Sequence, residues 1–180
     1  MIYKLKLLLK HLWLDASDSA RAIPPDMLER LARRVAASER RHSGEIRICV
    51  EAALPASYLW RLNTKTTLGA LMRERAVMMF GKLGVWDTEH NNGILIYLLL
   101  AEHAIEIVAD RGVALHVSPA QWQAMVARMA SAFKEQRYED GLTQALEECS
   151  AVLMQHFELA GTAAGAQSGS NELPDTPQLM

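Results

Sequence analysis

Two stretches with strand character are separated by one long helical stretch, and that spacing limits the fold more than any other feature of the chain. Glu45 to Glu51 alternates, with Ile46, Ile48 and Val50 on one side and Arg47, Cys49 and Glu51 on the other. That is the period of a strand with one face committed to a core. Ile94 to Leu100 is apolar without a break, which reads as a strand covered on both faces. Between them a helical stretch runs from about Ser57 or Thr64 to Lys82. Leu68, Leu71, Met72, Met79 and Phe80 form its stripe, Arg75 interrupts it, and Gly81 and Gly84 end it. A strand–helix–strand crossover is right-handed in nearly all proteins and makes its two strands parallel. Ala101-Glu102-His103 is then short enough for a hairpin connection, and Ala104 to Ala109 returns antiparallel with Ile105 and Ile107 alternating.

Helical stretches flank this sheet. Pro24-Pro25-Asp26 starts one, with Leu28, Leu31, Ala32, Val35 and then Glu39 along a single face, and His42-Ser43-Gly44 breaks it. Ser118-Pro119-Ala120-Gln121 combines a Ser cap, a Pro at the first helical position and a Gln at the third. The helix it opens carries Trp122, Met125, Val126, Met129 and Phe133 at amphipathic spacing, and a last helix from about Glu139 to Phe157 stripes Leu142, Leu146, Cys149, Leu153 and Phe157. Helices on both sides of so small a mixed sheet make a three-layer α/β sandwich. The chain has 180 residues, half of them apolar, which suits one ordinary domain. Its expected limits are 24–160, after an amphipathic helix and linker over 1–23. From Gly161 the chain turns to Gly, Ala, Ser, Gln and Pro without periodicity, so 161–180 is expected to be a disordered tail.

Charge and cysteine usage exclude several classes of function. Nineteen Lys and Arg against twenty-one Asp and Glu leave −2, which offers no footprint for nucleic acid. Cys49 and Cys149 are too far apart for a disulfide framework or a zinc motif and suit a reducing compartment. The opening run Met1 to Leu14 is broken by Lys4, Lys6, Lys10 and His11, so it lacks the uninterrupted core of a signal peptide. Ile94 to Ala101 covers 8 residues, against the roughly 20 that span a bilayer. The expectation is a cytoplasmic chain without a transmembrane segment. Ile2, Leu5, Leu9 and Leu12 share one face of an amphipathic helix, which either docks on its own core or meets a membrane surface or a partner helix.

The expected topology brings three polar segments to one rim of the sheet. Parallel pairing sets the starts of the first two strands side by side, and the hairpin returns the end of the third strand beside them. Glu39, His42, Asp87, Asn91, Asn92, Asp110, Arg111 and His116 are therefore the candidate binding residues. Ligands of open parallel sheets usually sit at the opposite, carboxyl ends of the strands. The oxygen-rich loops suit calcium or magnesium among cations, with Glu39, Asp87 and Asp110 as ligands. The six histidines show no paired spacing for zinc. No Gly-x-Ser-x-Gly elbow, P-loop or Gly-x-Gly-x-x-Gly occurs, so neither a hydrolase nucleophile nor a nucleotide site is indicated.

The segments Glu39 to Ile48, Phe80-Gly81-Lys82-Leu83-Gly84-Val85, Asn91-Asn92-Gly93-Ile94-Leu95-Ile96, and Phe133-Lys134 through Tyr138-Glu139-Asp140-Gly141-Leu142 occur in an order and spacing that resembles the TPM domain family. This is the domain of thylakoid lumen phosphatase-like and photosystem repair proteins, with many bacterial members. The resemblance covers roughly 28–157 and implies a three-layer α/β fold, acid phosphatase activity, calcium binding and a part in maintaining membrane complexes. The chain departs from the family's pattern at its acidic positions. Where the family has Asp-Asn-Gly this chain has Asn91-Asn92-Gly93, and Gly-Tyr-Gly-Leu-Glu becomes Asp110-Arg111-Gly112-Val113-Ala114. The nearby Pro-Asp becomes Ser118-Pro119. The lost carboxylates weaken any hard-cation site. Two functions follow as expectations. The first is a non-catalytic module that binds a protein partner at a membrane-associated complex, with no resident cofactor and peripheral membrane contact through the first helix. The alternative is a weak metal-dependent phosphatase built on the rim.

Overall fold

The two strands of the crossover pair in parallel, β1 (Ile46–Glu51) with β2 (Ile94–Leu99), in the register Ile46 to Ile94 through Glu51 to Leu99. A 3-10 turn over Leu100–Glu102 and His103, held at a positive φ of 48°, close the hairpin to the antiparallel strand β3 (Ala104–Ala109). The computed structural model describes residues 2–158 and 171–180. Among them are eight α-helices: α1 (Ile2–Leu12), α2 (Ala16–Ala22), α3 (Pro25–Glu39), α4 (Ala56–Trp60), α5 (Leu68–Lys82), α6 (Arg111–Ala114), α7 (Pro119–Lys134) and α8 (Tyr138–His156).

Alternation along the strands builds a core on each face of the sheet. Ile46, Ile48, Val50, Ile94, Ile96, Leu98, Ile105 and Ile107 point to α3, α7 and α8, where they meet Leu31, Val35, Met129, Phe133, Leu146 and Leu153. Cys49, Leu95, Tyr97, Leu99 and Val108 point the other way, to Leu7 of α1, Leu59 of α4 and Leu71, Ala76 and Met79 of α5. Every residue of β1 and β2 is buried, so the layered α/β sandwich read from periodicity is the fold observed. Arg75 breaks the α5 stripe for a reason that lies on β1. Its guanidinium, buried in the α5 layer, donates two hydrogen bonds to the buried Glu51 carboxylate, which also accepts from the Tyr97 hydroxyl at 2.6 Å. Ser118 and Gln121 form the capping box expected at the start of α7.

Two terminal segments go beyond what the sequence decided. Leu5, Leu9 and Leu12, the expected buried or partner face of α1, point away from the fold, whereas Leu7 and His11 point in. His11 accepts a hydrogen bond from the Leu54 amide on Nδ1 and donates from Nε2 to Glu102 at 3.0 Å. The side chain of Ile2 lies outside the described residues. The second is the C-terminus. Residues 171–180 fold back and add β4 (Gln178–Leu179), parallel to β1, giving the order β3-β2-β1-β4. The expected disorder over 161–180 therefore does not extend to 171–180, and its first part, 161–170, lies outside the described residues. Main-chain pairing drives the return. The Met180 carbonyl accepts from the Ala52 amide at 2.9 Å and the Ser19 hydroxyl at 2.7 Å, Arg47 donates to the Pro174 and Thr176 carbonyls, and Leu173 is buried.

Candidate interaction surface and rim

The rim loops meet through their main chains. The Asn92 side-chain amide donates to the Ser43 carbonyl at 3.1 Å, joining the α3–β1 and α5–β2 connections. Gly112 donates from its amide to the Asn91 carbonyl at 3.0 Å, and Arg111 donates to Asn91 Oδ1 at 3.0 Å, which adds the β3–α6 connection. The approach at Gly112 is so close that a Cβ there would stand 2.5 Å from the Asn91 carbonyl oxygen. Asn91 itself sits at a positive φ of 52°, which an Asn tolerates better than most residues.

Each expected site residue has a definite placement. Glu39, at the end of α3, accepts the Ile46 amide at 2.9 Å and faces a cleft of about 180 Å3. Burial, reinforced by the charges of Glu45 and Asp175, pushes its pKa up to about 9, so it is a neutral acid at physiological pH. His42 is buried in the α3–β1 turn with both nitrogens occupied. Nδ1–H donates to the Gly44 carbonyl and Nε2 accepts from the Ser38 hydroxyl, each at 3.0 Å. Burial pulls its pKa down to about 4, which keeps it neutral. Asp87 is exposed in the turn after Gly84. Asp110 caps α6 by accepting the Arg111 amide on Oδ1 at 2.7 Å, while its buried Oδ2 has no partner. His116 stands apart, stacked on His156 with ring centroids 4.2 Å apart.

The calcium or magnesium that the family resemblance implies finds a poor fit. A hard cation of that kind takes six or more oxygens around one point. Glu39, Asp87 and Asp110 do not gather, and among the described residues no three His, Cys, Asp or Glu side chains are grouped to hold a metal ion. Among the described residues Asp110 Oδ2 is the one buried carboxylate oxygen without a partner, and one such oxygen is not a ligand set. The cysteines offer no nucleophile either. Burial pushes the Cys49 thiol up to about 12 and that of Cys149 higher still, far from a thiolate at neutral pH.

Sequence reasoning missed three carboxylates of the cleft. Glu45, Glu172 and Asp175 line the cleft with Glu39. The C-terminal segment supplies two of those three carboxylates and is fastened there: Glu89 donates its amide to Glu172 at 3.1 Å, and Leu173 donates to Glu45 at 3.2 Å. A detectable signal was present in Asn171-Glu172-Leu173-Pro174-Asp175, the one charged, Leu-bearing stretch after Gly161.

The least expected surface is α1. Leu5, Leu9, Leu12 and Trp13 are 58, 48, 67 and 83% exposed, and Trp60 of α4, which α1 packs against, is 68% exposed. Spacings of four and three residues put Leu5, Leu9 and Leu12 on one face of α1, and Trp13 follows directly after the helix. Monomeric proteins rarely leave several large apolar side chains clustered in water without a use for them. Lys4 and Lys10 are held within the fold, Lys4 on the Trp60 and Leu62 carbonyls and Lys10 on Glu102 at 3.1 Å. No described helix is long and apolar enough to cross a membrane.

The chain matches the TPM domain over residues 16–152. Among solved structures it is similar to the BA42 protein of the psychrophilic bacterium Bizionia argentinensis. The two share 22% identity, with 88% of this chain and 92% of that one covered and a TM-score of 0.64. It is also similar to the N-terminal domain of a protein from P. gingivalis, at 15% identity, 82% and 95% coverage and a TM-score of 0.58. At these identities the likeness concerns the fold. No curated protein matches the chain.

Proposed function

The chain belongs to the TPM domain family, and from that premise we propose that it is a non-catalytic TPM module that binds a protein partner through the outward face of α1. The observation that carries the reading is the exposed apolar face of Leu5, Leu9, Leu12 and Trp13 beside Trp60. A protein is favoured over bare lipid as the occupant. A basic residue near an anionic bilayer contributes about 1 kcal/mol, and two of the three α1 lysines already serve the fold. An apolar stripe at helical spacing suits a partner helix instead. The family's link to membrane complexes makes a membrane-associated assembly the expected setting.

Deleting residues 1–15 would also pull Leu7 and His11 out of the fold, so substitution is the cleaner test. Leu5→Glu combined with Leu9→Glu puts charge on exposed positions and should leave thermal unfolding within about 0.5 kcal/mol of wild type. The same variant should lose a partner that wild type retains through native co-purification. Equal recovery by both proteins would defeat the proposal.

The phosphatase reading has one observation on its side, the buried and unpartnered Asp110 Oδ2. Titrating calcium, magnesium and manganese into metal-free protein tests it, because a ligand of the native state raises apparent stability. A rise in Tm that Asp110→Ala removes would favour that reading; the interaction module predicts no rise.

A further inference from the structure

β3 is one of the two edge strands of the sheet, β4 being the other. The Asp110 amide donates to the Gly93 carbonyl across the hairpin, so Ala104, Glu106 and Val108 turn their main chains toward β2. Ile105, Ile107 and Ala109 therefore direct their amides and carbonyls away from the sheet. The Ile107 carbonyl confirms the parity, since it accepts from the Arg73 guanidinium of α5 at 2.5 Å. A groove of about 540 Å3 runs along this edge. Its floor is β3 from Glu106 to Ala109, one wall is Trp122, Val126 and Ala127 of α7, and the other is Arg73.

Unpaired strand edges are a hazard that proteins usually cover, charge or shorten. Here the Ile107 carbonyl is covered by the Arg73 side chain, and the groove beside it is lined on β3 by Glu106, Ile107 and Ala109. We propose that this groove binds an extended segment of a partner protein, which adds to β3 as a further strand of the sheet. At about 3.3 Å per residue, the floor from Glu106 to Ala109 engages four or five residues of such a segment. Main-chain hydrogen bonds from Ile107 and Ala109 supply affinity without regard to sequence, and the walls supply the preference. Alternate side chains of the segment face Trp122 and Val126, which selects apolar residues, while the intervening ones face Arg73 and Glu106, which selects polar ones. Arg73 gives up the Ile107 carbonyl to the incoming amide and keeps its contact with Glu106, 3.4 Å away. A second copy of this chain fits less well than a lone strand, because it would bring its own α5 and α7 against the same two walls. This surface is separate from the α1 face, and neither reading depends on the other.

The test is to pan a phage-displayed library of linear octapeptides against the full chain and synthesise the enriched sequences. The expected peptides alternate apolar and polar residues and slow hydrogen exchange at the amides of Ile107 and Ala109. Ala127→Trp, a substitution at an exposed position, fills the groove and should weaken binding at least tenfold. Methylating every second peptide nitrogen should abolish binding in one register and spare it in the other, because only one set of amides faces β3. Recovery of no peptide, of peptides with helical spacing, or of peptides whose binding is indifferent to Ala127→Trp would overturn the proposal. So would a concentration-dependent dimer of the free protein that Ala127→Trp dissolves, which would make a second copy the occupant.

Discussion

Glu39 and His42 lie three residues apart and respond to protons in opposite directions. Burial raises the Glu39 carboxyl from 4.5 to about 9. Between those values the folded chain holds a proton that the unfolded chain has released, so stability falls as pH rises from about 4.5 to about 9. Glu39→Gln keeps an acceptor for the Ile46 amide and cannot ionise. Its stability relative to wild type should grow steadily as thermal unfolding is followed from pH 5 to 9. Burial lowers His42 from 6.5 to about 4, so here the unfolded chain takes up the proton first and stability is lost as pH falls through that window. His42→Gln should flatten the acid limb and leave the alkaline one intact. A wild-type profile with neither slope would mean that both groups are solvated. The buried Arg75–Glu51 pair makes a third prediction. Arg75→Met strands the Glu51 carboxylate, and breaking one side of such a pair costs roughly 3–5 kcal/mol, to be read by urea unfolding. Sequence showed Glu39 at the end of a stripe and Arg75 as an interruption. It could not show that Glu45 and Asp175 share the Glu39 cleft, because that meeting depends on where the tail returns.

At the scale of elements, local chemistry was legible where it is self-contained. The capping box at Ser118 needs only residues 118 to 121, and Ser118→Ala should cost about 1 kcal/mol in chemical unfolding through the lost cap. Strand alternation likewise identified β1 and β3, and an unbroken apolar run identified β2, which helices cover on both faces. Periodicity failed for β4, whose two residues are held by pairing with β1 and not by any pattern of their own. It also left the placement of α1 open. The stripe of Leu5, Leu9 and Leu12 is the obvious apolar face, yet the face that docks carries Leu7 and His11, chosen by the waiting Leu54 amide and Glu102 carboxylate. Removing residues 171–180 should unseat Leu173, whose burial is worth about 1.5–3 kcal/mol, and bare the β1 edge. A fall in Tm with increased light scattering is the expected outcome. An unchanged melting curve would mean that the segment is not held in solution.

The molecule as a whole is a sheet sealed on both faces, with its unsatisfied surfaces at the periphery. The TPM domain supplies the layers and the loops of the rim, whereas the rim's carboxylates serve the fold: Asp110 caps α6 and Glu39 receives the Ile46 amide. Sequence reading reached the family and the layered fold because both rest on segments spaced along the chain. It left open whether the α1 stripe faces core or water, because an apolar stripe looks the same in either place. Val77, Met78, Trp86 and Leu115 are exposed as well, singly or as a pair, whereas the α1 face carries four large apolar side chains in one run, which favours partner binding. Its most direct test places a photoreactive amino acid at position 9 or 12 of α1 and, as a control, at the exposed position 77 of α5. The account predicts a discrete protein adduct from positions 9 and 12 and none from 77. Adducts to lipid alone, or the same products from all three positions, would contradict it.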